Sequence, residues 1–250
     1  MQVKVYKNNK ELGKAAAAAA AKKLNEVIAE KGCARLLLST GASQFDFFEA
    51  LRECQVDWSR VEMFHLDEYV GISAEHPASF NKYLRMRFVD VFHPAKYHLM
   101  DGERDPEQTI AEVSAAINEA PIDLGLIGIG ENGHIAFNDP PADFDDERAY
   151  KVVTLNDACL RQQVREGWFE SPEAAFKQAI SMTCRQIMKC ECIISVVPHA
   201  VKAQAIHDTL TCEINENVPA TLLKNHKDVT VYCDENSASL TDAETLARFA

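Results

Sequence analysis

The sequence predicts an α/β fold: a doubly wound, mainly parallel sheet with helices on both faces, Rossmann-like in plan. Two observations predict it. Short, strongly apolar runs recur along the chain, and between most of them lies a stretch with helical patterning. Strands that alternate with helices build a parallel sheet, because each crossover lays a helix on one of its faces. No linker, internal repeat or low-complexity stretch beyond one alanine run interrupts the pattern, so one unit over residues 1–250 is expected.

The elements follow in order. Residues 2–6 read as a short strand and 10–31 as a long helix stopped by Gly32. Residues 34–39 form a buried strand, followed by a turn and a helix over about 44–54. A strand over 60–66 leads into the polar loop DEYVG. Helices are expected at 77–91, with Pro77 in the first turn, and at 106–119. The apolar run 122–129 is a strand that opens into the loop GENGH. Strands at 150–154, 191–197 and 228–233, with helices at 156–167 and 200–210, complete the alternation.

Composition excludes several classes of protein. The 250 residues carry 38 acidic and 26 basic side chains, a net charge of −12. Such a chain repels nucleic acid and anionic membranes. It can hold a small anion only where cations and backbone N–H groups are gathered locally. The start, MQVKVYKNNK, is polar and lacks the apolar core of a signal peptide. The seven alanines at 15–21 fall far short of the roughly 20 residues of a membrane span. Eight cysteines include no CxxC pair, which argues against a metal site and for reduced thiols in a cytoplasmic protein.

In an open parallel sheet, ligands gather at the carboxyl ends of the strands where strand order reverses. Three loops therefore matter. Ser39, Thr40, Gly41, Ala42 and Ser43 join a buried strand to a helix, which suits either an anion at a helix N-terminus or a helix start capped by Ser43. Asp67 and Glu68 follow the strand 60–66, as a general base would, or as a solvated turn would. Gly128, Gly130 and Gly133 surround Asn132 and His134. Glycines adopt turns that other residues resist, and here they would carry an imidazole to the sheet edge. Asp139 lies five residues on and could orient that ring. Arg161 and Lys202 are candidate cations for a phosphate, although most basic residues of an acidic chain are simply solvated.

These blocks carry a family resemblance. LLLSTGAS at 36–43, FHLDEYVG at 64–71 with HPASF at 76–80, and GIGENGHIAFNDP at 128–140 resemble the glucosamine-6-phosphate deaminase (isomerase) family, in its order and at its spacing. A weaker match runs through TLNDACLRQQ at 154–163 and the Lys202 segment. The wider group includes 6-phosphogluconolactonases, whose pattern differs around the Gly-His.

The resemblance implies roles. Thr40, Gly41, Ala42 and Ser43 would hold the sugar phosphate, with Gly133, Lys202 and either Arg161, the preferred match, or Arg165. Asp67 would move a proton between C2 and C1, His134 would assist ring opening, and Asp139 would orient His134. Asn132 joins the catalytic group where some members have Asp, and Asp139 stands where the family usually has Glu. That pair of departures would rearrange the carboxylate–imidazole relay or close it through a water. Neither a metal nor an organic cofactor is implied. The expected partner is a small amino-sugar phosphate, with self-association left open. Alternatives are a 6-phosphogluconolactonase, a galactosamine-6-phosphate isomerase or a non-catalytic sugar-phosphate sensor. No basic helix-turn-helix accompanies the domain, which weighs against the sensor.

Overall fold

A computed structural model describes residues 1–165, 167 and 169–250. Ten strands appear: β1 (Gln2–Tyr6), β2 (Ala34–Leu38), β3 (Val61–His65), β4 (Asp67–Tyr69), β5 (Lys96–His98), β6 (Leu124–Leu126), β7 (Tyr150–Thr154), β8 (Gln178–Met182), β9 (Cys192–Val197) and β10 (Val229–Asp234). Seven of them form one sheet in the order β1-β10-β9-β6-β2-β3-β5. Every pairing in it is parallel. From β2 the chain proceeds outward through β3 to β5. It then returns to β6, on the other side of β2, and proceeds outward through β9 to β10. Strand order thus reverses between β2 and β6.

The central strands are mostly apolar because both faces of the sheet are covered, with Arg35 of β2 and Ser195 of β9 as buried polar exceptions. Leu36 and Leu38 pack on one side with Met63, Leu124 and Ile194. Leu37 packs on the other with Phe64, Ile193 and Val231. The first face is covered by the helix Asn9–Lys31, whose alanines 16, 17, 20 and 21 are buried. Asn8 caps this helix by accepting the Glu11 N–H at 3.0 Å, and Gly32, at φ 81°, ends it in a left-handed turn. The small side chains let the helix lie close to the sheet. Gly13 lets it lie closer still to the helix Phe45–Leu51: a Cβ there would sit 2.8 Å from the backbone carbon of Asp46.

Several expectations are corrected. The segment read as the polar loop DEYVG begins with a buried strand, β4. It pairs antiparallel with β8, which also pairs antiparallel with β7, giving a second, three-stranded sheet. Neither β8 nor the short edge strand β5 stands out in the sequence, since each is brief and holds its place by pairing. The helix expected from Pro77 starts instead at Phe80. There Ser79 is the N-cap, accepting the Lys82 N–H at 3.2 Å. A third apolar cluster sits beneath the small sheet and joins Tyr69, Phe80, Phe137, Phe169 and Ala179. Among the described residues, no helix is long and apolar enough to cross a membrane.

The close approach at Gly13 yields a stability prediction. Alanine would gain roughly 1 kcal/mol of helix propensity, but overpacking against a backbone costs about 1–3 kcal/mol. Gly13→Ala should therefore lower the urea midpoint with an unchanged slope. A raised midpoint would mean that the two helices can part without strain.

Candidate active site

The reversal of strand order leaves a cleft of about 390 Å³ at the carboxyl ends of the strands. One wall is the loop after β2. Residues 39–43 all line it. Gly41 takes φ 109°, a conformation open to glycine, and its carbonyl accepts the Tyr83 hydroxyl at 2.9 Å. Ser43 does not cap the helix that follows, which starts without a side-chain cap. Its hydroxyl instead accepts from Gln44 Nε2 at 3.2 Å, and the same amide also donates to Val196 O at 3.2 Å. Gln44 thereby ties the loop to β9.

The opposite wall is the glycine-rich loop after β6. Gly130 N–H donates to His134 O at 2.8 Å, and Gly133 N–H donates to Gly130 O at 3.1 Å, so the loop closes on itself. Gly133, at φ 81°, turns the chain beneath Val218. His134 lines the cleft, and its ring lies against Gly130, where any Cβ would overlap ring atoms Cε1, Nε2 and Cδ2. The loop is pinned from behind. Asn138 Nδ2 donates to Ile135 O at 2.9 Å and Met182 O at 2.8 Å, and Phe137 N–H donates to Ser181 Oγ at 3.0 Å.

Behind His134 stands Asp139. His134 Nδ1 stands 3.2 Å from Asp139 Oδ1, an ion-pair approach away from linear hydrogen-bond alignment. Asn132 Nδ2 donates to the same oxygen at 3.1 Å, while its carbonyl oxygen accepts the His134 backbone N–H at 3.2 Å. Burial opposes ionisation of Asp139, but the contacts with His134 and Asn132 outweigh it and hold the carboxyl below its usual range. The aspartate thus approaches the imidazole closely, and Asn132 hydrogen-bonds to both residues.

Asp67, first residue of β4, lines the cleft and is 6% exposed. Burial raises its proton affinity, Glu68 next door adds to this, and the carboxyl is pushed up to about 8. Lys202 lines the cleft from the short 3-10 turn Ala200–Lys202. Arg161, the preferred arginine on sequence, is exposed and does not line the cleft. Arg165, one helical turn on, does, and it pairs with Glu131 at the rim. Asn132, Gly133 and Asp139 lie behind the lining, next to His134.

Sequence reasoning missed Phe80, Phe137, Gln163 and His199, all of which line the cleft. His199 had a usable signal: it follows Pro198 directly after a core strand. It takes φ 81° and ψ 144°, and its N–H donates to Asp234 Oδ1 at 3.1 Å. Among the described residues, no three histidine, cysteine, aspartate or glutamate side chains gather as a metal would need.

A parallel sheet with an acid–imidazole cleft at its strand reversal defines an α/β protein that handles a small polar ligand. The sequence matches the family "Glucosamine-6-phosphate isomerases/6-phosphogluconolactonase" over residues 7–232, and the chain belongs to that family. It is 34% identical to a glucosamine-6-phosphate deaminase of Lactobacillus delbrueckii subsp. bulgaricus over 96% of this chain and 99% of that protein. It is 35% identical to a glucosamine-6-phosphate deaminase of Streptococcus agalactiae, again over 96% and 99%. The solved structure of a monomeric glucosamine-6-phosphate deaminase superposes with a TM-score of 0.88 at 29% identity, covering 96% of this chain and 100% of that one. A putative 6-phosphogluconolactonase from Neisseria gonorrhoeae, at 23% identity and a TM-score of 0.77, shares the fold.

Two expectations test the site. Gly130→Ala should displace the His134 ring and cut turnover by about 10²-fold, the cost of a misplaced group, while the folded state persists by circular dichroism. Full turnover would place the ring's working position elsewhere. Arg165→Ala should raise KM for a sugar phosphate well above that of Arg161→Ala, and the reverse order would return the phosphate to Arg161.

Proposed function

We propose that this protein is a glucosamine-6-phosphate deaminase, converting that aldose with water to fructose 6-phosphate and ammonia. The reading rests on one observation: Asp67, His134, the 39–43 loop and Lys202 line a single cleft sized for a small molecule. The curated relatives that carry this activity support it along nearly the whole chain.

The phosphate docks on the Thr40–Ser43 turn, whose backbone starts a helix, with Lys202 and Arg165 supplying positive charge. The sugar ring then lies across the cleft between Asp67 and His134. His134, held by Asp139, relays the proton that opens the pyranose. Asp67 takes the C2 proton and returns it at C1, so the aldose becomes a 2-imino sugar through an enolamine. Water adds to the C2 imine, the C–N bond breaks, and the ketose and ammonia leave. Carboxylate and imidazole chemistry suffices for each transfer.

The pH dependence follows from the base. Asp67 accepts the C2 proton only when ionised, and burial has pushed it up to about 8. kcat/KM should climb with pH through that region and fall tenfold per unit below it. Asp67→Asn should lose at least 10²–10⁴-fold in turnover while inorganic phosphate still competes for the cleft. A coupled assay for ammonia and fructose 6-phosphate, run beside lactone hydrolysis, tests the reading. Lactone hydrolysis without ammonia release would overturn it.

A further inference from the structure

Asp67 and Glu68 are adjacent buried carboxyls, yet they meet different surroundings. Successive residues of a strand face opposite sides. Asp67 lines the cleft, whereas Glu68 lies behind it, fully buried and outside the lining. Four donors converge on the Glu68 carboxylate. They are the backbone N–H groups of Tyr69 at 2.9 Å, Phe80 at 3.2 Å and Asn81 at 2.6 Å, and the Ser79 hydroxyl at 2.9 Å. Three of the four belong to residues 79–81, around the start of the helix Phe80–Leu84. Among the described residues no hydrogen bond or ion pair reaches the Asp67 side chain.

Tyr150 of β7 approaches Asp67, and its phenol donates to His65 O at 2.9 Å. His65, at the end of β3, is held neutral by burial, which lowers it to about 3. Across the cleft stand His134, Lys202 and Arg165, the last paired with Glu131. Among the described residues no ion pair joins these side chains to either carboxyl.

Two like charges this close compete for ionisation, and hydrogen bonds to a charged form decide which member carries it. Burial raises Glu68 as well, to about 7, and its four hydrogen bonds work against that rise. We propose that Glu68 is a positioning residue that ionises before Asp67 and holds the negative charge of this pair, leaving Asp67 as the member that takes up and gives back the proton. The inference rests on Asp67 being the base of the proposed reaction. It assigns two linked tasks to Glu68. Its charge keeps the proton affinity of Asp67 high, which suits removal of a weakly acidic C2 hydrogen. Its bond to the Phe80 N–H fixes the backbone of a residue that lines the cleft beside Asp67.

The test is Glu68→Gln, which keeps shape and removes charge. The acid limb of kcat/KM against pH should move down by about one unit or more, with turnover on the plateau reduced about tenfold because Asp67 becomes a weaker base. A role confined to structure would lower activity at every pH and leave the limb in place, and that result overturns the proposal. Ser79→Ala withdraws one of the four donors from outside the cleft and serves if the glutamine variant does not fold. It should shift the limb in the same direction by less, and an unmoved limb again overturns the assignment. An infrared carboxyl titration of the protein without substrate gives a second readout, with the Asp67 band identified by its loss in Asp67→Asn. Its midpoint should fall in Glu68→Gln, and an unchanged midpoint counts against the proposal. That measurement stands even where no ammonia is released from glucosamine 6-phosphate, so failure of the reaction and failure of the charge assignment are told apart.

Discussion

Strands β2 and β6 lie side by side at the centre of the sheet, yet the chain leaves them in opposite directions. Everything at the site depends on that divergence. Neighbouring parallel strands end at the same edge, and when their following loops turn to opposite sides, a crevice opens between them. Ser39 N–H donates to Leu126 O at 2.9 Å, so the strands stay paired up to the point of departure. The 39–43 loop and the GENGH loop are the two lips of the crevice. The small-residue turn at 39–43 and the imidazole of His134 face one cleft because of this reversal.

The second sheet supplies what the first cannot. β4 follows β3 after a single residue, Leu66, and turns away to pair with β8. This sets Asp67 at the cleft on a strand rather than on a loose turn. It also allows the alternation of a strand to separate two adjacent carboxyls, one facing substrate and the other facing backbone donors. The same β8 holds the GHIAFN segment, through Ser181 to Phe137 and through Met182 to Asn138. Asp67 and the His134 segment are therefore both tied to β8, although they come from distant parts of the chain. The packed rings of Phe80 and Phe137, stacked at 5.8 Å, close the remaining gap.

Electrostatics in the cleft follow burial and hydrogen-bond supply more than residue type. Asp139 and Asp67 are both largely buried aspartates, yet they shift in opposite directions. Asp139 meets an imidazole and an amide that favour its anion. Asp67 meets burial and a like charge that oppose it. The same residue type is thus held as an anion at one position and kept protonated more readily at the other by surroundings alone.

The sequence by itself determined the parallel sheet, because buried strands with both faces covered must be predominantly apolar, and 34–38 and 192–197 are, Arg35 and Ser195 aside. It also determined which loops would matter, since glycines at 128, 130 and 133 and a small-residue turn at 40–43 are costly unless the backbone is needed there. Only the tertiary structure decided the rest. β4 and β8 are short, and nothing local marks them as strands; pairing at a distance makes them so. The choice between Arg161 and Arg165 depends on the angle of one helix over the cleft, which a four-residue spacing does not encode. Three of the four donors to Glu68 come from residues 79–81, more than ten positions away. Local pattern records burial and turn chemistry, but which donors meet which carboxylate is fixed only when distant segments pack.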